Sequence, residues 1–439
     1  MSIRGWAKGL RGGRPADLGA DVAPSRSPWA ALAWPLSSAG ARRRDWFPRE
    51  SLPGKIFRVA RLVALATWAG LLIYYWHRDG VPFDREGLLL WVCLGVLAGS
   101  VGRHPLALLQ VVLDFVPFAL VLIAYDYLRG LSYQLGMPTW WHPQVDADKF
   151  LFFGHEPTVW LQEHLKHAYP DIRWYDVAVT LCYCSFFFLP YVMAGVLWLR
   201  DRASFYRWSL RFVSLSFVGF AVFALFPAAP PWAAARCSAS DIASRPSEPG
   251  CMWQDAPANI TAVHGGILGP MTTHLQGASP WVERTSWWGF HDLHLSVAGS
   301  LLKEGQAIAD PVAAVPSLHL GGTVLFVLFM WRRVSKWWRP LLVAYPFAMT
   351  FSLAYSAEHY VFDCLTGALA AVLVTLASIR LERWWRRRNR SADADGVDVG
   401  VLKLRLLAAI ASQRGSDPDE GTSLEPTPGA SSPETPVSD

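Results

Sequence analysis

The sequence predicts an all-α membrane protein: a polytopic helix bundle of about eight spans, with two long outer loops and disordered cytoplasmic ends. Three observations carry that prediction. Apolar residues make up 52% of the 439 and charged residues only 17%. Apolar runs of about 20 residues, the length that crosses a bilayer core, recur along the chain. The arginine-rich joints between those runs all fall on one side.

Residues 1–54 are rich in Arg, Gly, Pro, Ala and Ser without sustained periodicity, which reads as a disordered basic arm. The first long apolar run starts only near Val59, too late for a cleaved signal peptide. Spans are expected near 59–76, 87–102, 105–126, 176–198, 209–227, 316–331, 340–356 and 360–379. Arg103-His104-Pro105 separates the second from the third, so those two form a tight hairpin. Together the runs delimit a membrane-embedded region over 55–390, and 391–439 is an Asp/Glu/Ser/Pro/Gly-rich disordered tail with one apolar patch, Val401 to Ile410.

Orientation follows from the short loops. Arg200, Arg202, Arg207 and Arg211 join spans four and five, and Arg332, Arg333, Lys336 and Arg339 join spans six and seven. Arg380, Arg383, Arg386, Arg387, Arg388 and Arg390 follow span eight. The positive-inside rule makes that side cytoplasmic and places both termini there. Abundant Ala, Arg, Gly and Pro suit a GC-rich genome, so a bacterial plasma membrane is the expected location. Tryptophans such as Trp76, Trp198 and Trp331 flank the runs like an interfacial belt. A net charge of +5 that sits beside apolar segments, with no basic patch, argues against a nucleic-acid partner.

Two outer segments remain, about 127–175 and 228–315. The first carries Phe150-Leu151-Phe152-Phe153 and Trp160-Leu161, which suggest short interfacial helices. The second carries Cys237 and Cys251, the only candidate disulfide, which is chemically permitted outside the cytoplasm. Asn259-Ile260-Thr261 fits a glycosylation sequon but is too short to be informative. Cys93, Cys182, Cys184 and Cys364 lie in apolar runs and behave as small hydrophobes.

Chemistry-bearing residues gather at the outer helix ends. Pro316-Ser317-Leu318-His319 opens span six, where free backbone N–H groups suit a phosphate. Glu358-His359-Tyr360-Val361-Phe362-Asp363 opens span eight. His359 and Asp363 are four apart and share a helical face, so the carboxylate can fix the imidazole tautomer. The topology sets His319 and His359 at one depth, where one can attack phosphorus and the other protonate the departing oxygen. Tyr125-Asp126-Tyr127-Leu128-Arg129 ends span three; Arg129 either clamps phosphate oxygens or snorkels to headgroups with Asp126 as its ion pair. Phe226-Pro227-Ala228-Ala229-Pro230-Pro231-Trp232 ends span five and either shapes the mouth of the site or simply stops the helix.

At these residues the chain resembles the type-2 phosphatidic acid phosphatase superfamily, and within it the branch that contains inositol phosphorylceramide synthase. The family's P-S-x-H motif matches at Pro316, Ser317 and His319, and its S-R-x-x-x-x-x-H-x-x-x-D motif at Ser352, His359 and Asp363. The resemblance implies that His359 is the nucleophile, Asp363 its orienting partner and His319 the general acid, with a transient phosphohistidine. It also implies neither metal nor cofactor. Substrate contacts are then expected from Arg129, Asp126, Tyr125, Ser317, Ser352 and Trp232.

Leu353 stands where the family has arginine, and the K-x-x-x-x-x-x-R-P motif is absent; Lys149 and Glu156-Pro157 share only its spacing. Arg129 is the expected replacement cation. The implied activity is transfer of a phospho-headgroup, such as phosphoinositol, from a membrane phospholipid to an alcohol or glycan acceptor. One alternative is hydrolysis of a lipid or polyprenyl phosphate. The alternative from another class is a non-catalytic lipid-phosphate-binding protein or transporter, against which stand nearly uncharged span centres, with Asp114 the main exception.

Overall fold

A computed structural model describes residues 51–79, 85–103, 105–128, 130–244, 247, 249–252, 265–273, 275, 277–307 and 309–394. The expected N-terminal arm up to residue 50, the sequon, the 401–410 patch, nearly all of the C-terminal tail and Arg129 lie outside them. Among the described residues the secondary structure is helical, without strands. The principal helices are α1 (Leu52–Asp79), α2 (Arg85–Ala98), α3 (Pro105–Leu128), α4 (His142–Leu151), α5 (Pro157–Leu165) and α6 (Trp174–Arg200). They continue with α7 (Arg202–Leu225), α8 (Ser296–Ala307), α9 (Leu318–Met330), α10 (Arg339–Tyr355) and α11 (Val361–Ala394). The chain divides into two compact units, Met1–Leu381 and Glu382–Asp439, and every candidate site residue belongs to the first.

Among the described residues, five helices are long and apolar enough to cross a membrane: Leu52–Trp76, Leu109–Leu128, Trp174–Arg200, Arg202–Leu225 and Val361–Trp385. The other three expected spans form helices too, but shorter ones: 14 residues in α2, 13 in α9 and 17 in α10. At 1.5 Å per residue α9 extends only about 20 Å, short of a hydrocarbon core of about 30 Å. α1 begins at Leu52 and α11 runs on to Ala394.

α6 is the central helix, packed against α2, α7, α9 and α10. Aromatic rings fill the space between neighbours: Phe118 stacks on Phe212 at 5.6 Å, and Trp208 meets Phe329 edge-on at 5.2 Å. Of the tryptophans expected in an interfacial belt, Trp76 and Trp331 are exposed and Trp198 is buried. Its indole N–H donates to Asp114 at 3.0 Å and its ring lies under the Arg202 guanidinium at 3.6 Å. Asp114 also accepts from Arg202 and from the Tyr206 hydroxyl, so the charge midway along α3 belongs to a satisfied, partly buried network.

Most residues of the two segments expected outside, 127–175 and 228–315, are described. α4 and α5 stand where short helices are expected, with Phe150 and Phe153 almost wholly exposed. Cys237 and Cys251 form a disulfide with Cα atoms 5.3 Å apart. Parallel bridges link Trp140 to Ala228 and Ala228 to Ala313, tying the end of α7 to both outer segments. The helix stop at Phe226-Pro227 thus turns the chain into a tie across the mouth of the bundle.

Candidate active site

His319 is the second residue of α9. The helix starts there because the Ser317 side chain accepts from the Leu320 N–H, while the Ser317 N–H donates to the Asp363 carbonyl at 3.0 Å. α9 can come this close to α11 because residue 367 is glycine; a Cβ there would run into the Ser317 carbonyl. His319 is half-buried, its ring 4.2 Å from Phe186 and stacked on Tyr183 at 5.0 Å.

His359 arrives differently from the expected helical face. α11 begins only at Val361, so His359 lies in the turn before it. Glu358 and His359 both donate their N–H groups to the Leu353 carbonyl. Ala357 supports this turn with φ 60°, a left-handed conformation uncommon outside glycine. Asp363, fully buried in the first turn of α11, accepts the Tyr360 N–H at 2.9 Å and faces His359 Nδ1 at 3.5 Å. The other imidazole nitrogen, Nε2, lies 3.2 Å from His319 Nδ1. A chain His319–His359–Asp363 therefore exists, with its two histidines on one cavity wall.

That cavity, about 700 Å³, is lined by both histidines, Tyr125, Asp126 and Trp232 among the expected residues. Ser317 and Ser352 do not line it. The Ser317 hydroxyl caps α9, and the buried Ser352 hydroxyl donates to the Ala348 carbonyl within its own helix. Leu353 explains the missing family arginine: it is fully buried in an apolar cluster with Tyr183, Met349 and Cys364, which has no place for a charge. Lys149 is exposed and Glu156 caps α5 by accepting from Val159, so that chance spacing supplies no cation to the site. Residues 145–377 match the sequence model of the PAP2 superfamily. The chain belongs to the PAP2 superfamily. No curated protein and no solved structure matches it.

The structure adds groups to this candidate site that sequence reasoning missed. Arg284, from the second outer segment, forms a bidentate pair with Glu358, the residue just before His359: Nη2 to Oε2 at 2.6 Å and Nε to Oε1 at 2.8 Å. Glu358 also accepts from Ser286 at 2.5 Å and from Gln306 at 2.9 Å. Burial opposes the Arg284 charge, but Glu358 outweighs it and holds the pKa above the ordinary value. The loop carrying Arg284 is clipped to α5: the Gln162 amide donates to the Glu283 carbonyl at 2.7 Å and accepts its N–H at 2.9 Å. Buried Lys166 binds Ser279, the Trp281 carbonyl and Glu283. Desolvation lowers the Lys166 pKa, although Glu283 works against that shift.

Asp148 is the other addition. Its carboxylate accepts the N–H groups of Val361 and Phe362, both at 2.8 Å, and so caps the helix that carries Asp363 from 213 positions away. Desolvation pushes its pKa up to about 7, against the two hydrogen bonds. Among the described residues no group of three or more His, Cys, Asp or Glu is arranged to hold a metal ion.

Proposed function

We propose that this PAP2 superfamily member is a lipid phosphotransferase that works through a phosphohistidine on His359. The observation that carries the reading is the His319–His359–Asp363 chain on the wall of a cavity that is polar at one end and apolar within. The apolar part is formed by Val121, Leu122, Phe212, Leu215, Phe220 and Phe223, all nearly buried in the bundle yet bordering open space. An amphiphile with a phosphate at the histidines and an apolar chain between the helices fits that gradient.

In the first half-reaction His359 Nε2 attacks phosphorus, and the bond to the leaving oxygen breaks as His319 Nδ1 gives that oxygen a proton. Asp363 holds the His359 tautomer and offsets the charge that develops on the ring. In the second, an acceptor hydroxyl attacks phosphorus, His319 takes its proton, and the P–N bond breaks. The two nitrogens, 3.2 Å apart, are too close to hold phosphorus between them. The rings must part as substrate enters, in keeping with catalytic contacts that form fully only in the complex.

The donor in this reading is a membrane phospholipid, with transfer of a headgroup such as phosphoinositol to an alcohol or glycan, as in the branch containing inositol phosphorylceramide synthase. The outer segments, which wall the mouth through Trp232, Arg284 and Gln306, support an alcohol acceptor over water because they restrict solvent entry. Eight crossings, with α2, α9 and α10 as short spans, put both termini in the cytoplasm and the site at the outer face. The arginine clusters support that orientation.

Purified protein incubated with phosphate-labelled phosphatidylinositol, and separately with a labelled polyprenyl phosphate, should carry acid-labile phosphate that is absent from His359→Ala. Added alcohol acceptors should divert the label from inositol phosphate, or from inorganic phosphate in the polyprenyl case, to a phosphorylated acceptor. Hydrolysis alone would make the protein a phosphatase. Neither label nor product with either lipid would refute the enzyme reading in favour of a lipid-binding or transport role.

A further inference from the structure

We infer that Arg284 is the phosphate-binding cation of this site, and that Glu358 serves to hold it there; the inference rests on the phosphotransferase reading above. A phosphate at the histidine pair needs positive charge nearby, because an anion in a poorly solvated cavity is costly unless paired. Arg284 is the only Lys or Arg among the described residues lining the cavity, whose other ionisable walls besides the histidines are Asp126, Asp310, Glu358 and tyrosines. Leu353, at the family arginine's position, is sealed in the core.

Arg284 is tied to both histidines by short paths. On one side its partner Glu358 adjoins His359. On the other, Nη1 donates to the Gln306 carbonyl at 3.2 Å, the Gln306 amide reaches the Tyr183 hydroxyl at 3.5 Å, and Tyr183 stacks on His319. Three of the five guanidinium N–H groups are used in the bonds to Glu358 and Gln306, which leaves one on each Nη for a ligand. The side chain keeps 16% exposure while Glu358 keeps 4%, so the arginine is the more open member of the pair. Glu358 in turn receives hydrogen bonds from Ser286 and Gln306 as well as from Arg284. Its charge is thereby spread over neutral donors, and Arg284 retains positive potential toward the cavity. The Trp232 ring, 5.0 Å from the guanidinium, fixes its plane.

A plain Arg284→Ala change would strand a buried carboxylate and damage the fold, so the test compares Glu358→Gln with the double variant Arg284→Gln/Glu358→Gln. Binding of inorganic phosphate to the full-length protein in detergent is read by calorimetry, alongside melting temperature. The expected result is that Glu358→Gln, whose side-chain amide oxygen can still accept from Arg284, retains measurable phosphate binding, and this variant is the reference for the double one. The double variant, melting with Glu358→Gln, should bind at least tenfold more weakly. Equal binding by those two variants would overturn the assignment and leave the ion pair as a structural element only. Wild-type protein that binds no phosphate would instead overturn the phosphotransferase reading on which the assignment rests. Neither readout depends on turnover, so the two failures are told apart.

Discussion

Asp148 links an outer helix to the turn that carries His359, and its titration should be visible in stability. Burial lifts its pKa from the ordinary 3.8 to about 7. A carboxyl whose folded pKa is raised contributes stability that is full below the unfolded value and is lost as pH rises through the folded one. The window is therefore pH 4 to 7, with a slope of up to about 1.4 kcal/mol per pH unit and a ceiling near roughly 4 kcal/mol. Asp148→Asn removes the titration and keeps one acceptor for the Val361 or Phe362 N–H. The lost second bond should cost about 1 kcal/mol at every pH, the usual worth of one helix-cap contact. Relative to wild type the variant should therefore be slightly less stable at pH 5 and equal or more stable at pH 8.5. Thermal unfolding in detergent across pH 5 to 8.5 measures this as the difference between the two proteins, so that other carboxylates cancel. Parallel curves for the two proteins would refute a titrating Asp148.

Two further outcomes follow from the packing. Cys237 and Cys251, 14 apart in sequence, close a loop whose cross-link is worth about 3 kcal/mol in the chain-entropy account, so Cys237→Ser/Cys251→Ser should melt several degrees lower; an unchanged melting temperature would show the bridge to be dispensable. Leu353→Arg, which restores the family residue, should bury an unpaired charge and destabilise by several kcal/mol without improving phosphate binding; a stable variant with tighter binding would show that the position still opens to the site.

The bundle was legible because membrane insertion leaves a long-range signature in composition: apolar runs near the spanning length, with arginines at one set of ends. The histidine pair was legible for the same reason, since topology fixes which helix ends share a depth. Helix length was less so. Apolar residues flanking α9 and α10 extended those runs on paper, but Ser317 caps one helix and the turn at Ser356–Ala357 ends the other. The relation of His359 to Asp363 was right in neighbourhood and wrong in kind, because spacing by four does not say where a helix begins. Arg284 pairs across 74 positions and Asp148 across 213, distances at which no periodicity operates. A weaker signal for Arg284 did exist: the segment 228–315 contains only four basic residues, Arg236, Arg245, Arg284 and Lys303.

Assigning the phosphate cation to Arg284 changes what must be folded for the proposed site to work. An arginine beside Ser352 would come with α10 whenever that helix formed. Arg284 instead lies in an outer loop, and its place depends on Gln162 and Lys166 of the α5 region and on Ser286, Gln306 and Glu358 around it. The loop's backbone is pinned too, by the Thr285 N–H donating to the Ser356 carbonyl. The segment that carries His359, helices α4 and α5, and Arg284 are thus parts of one hydrogen-bonded assembly that reaches from Asp148 to Asp363. If Arg284 binds phosphate as proposed, anion binding should report the docking of both segments as well as the state of the histidines.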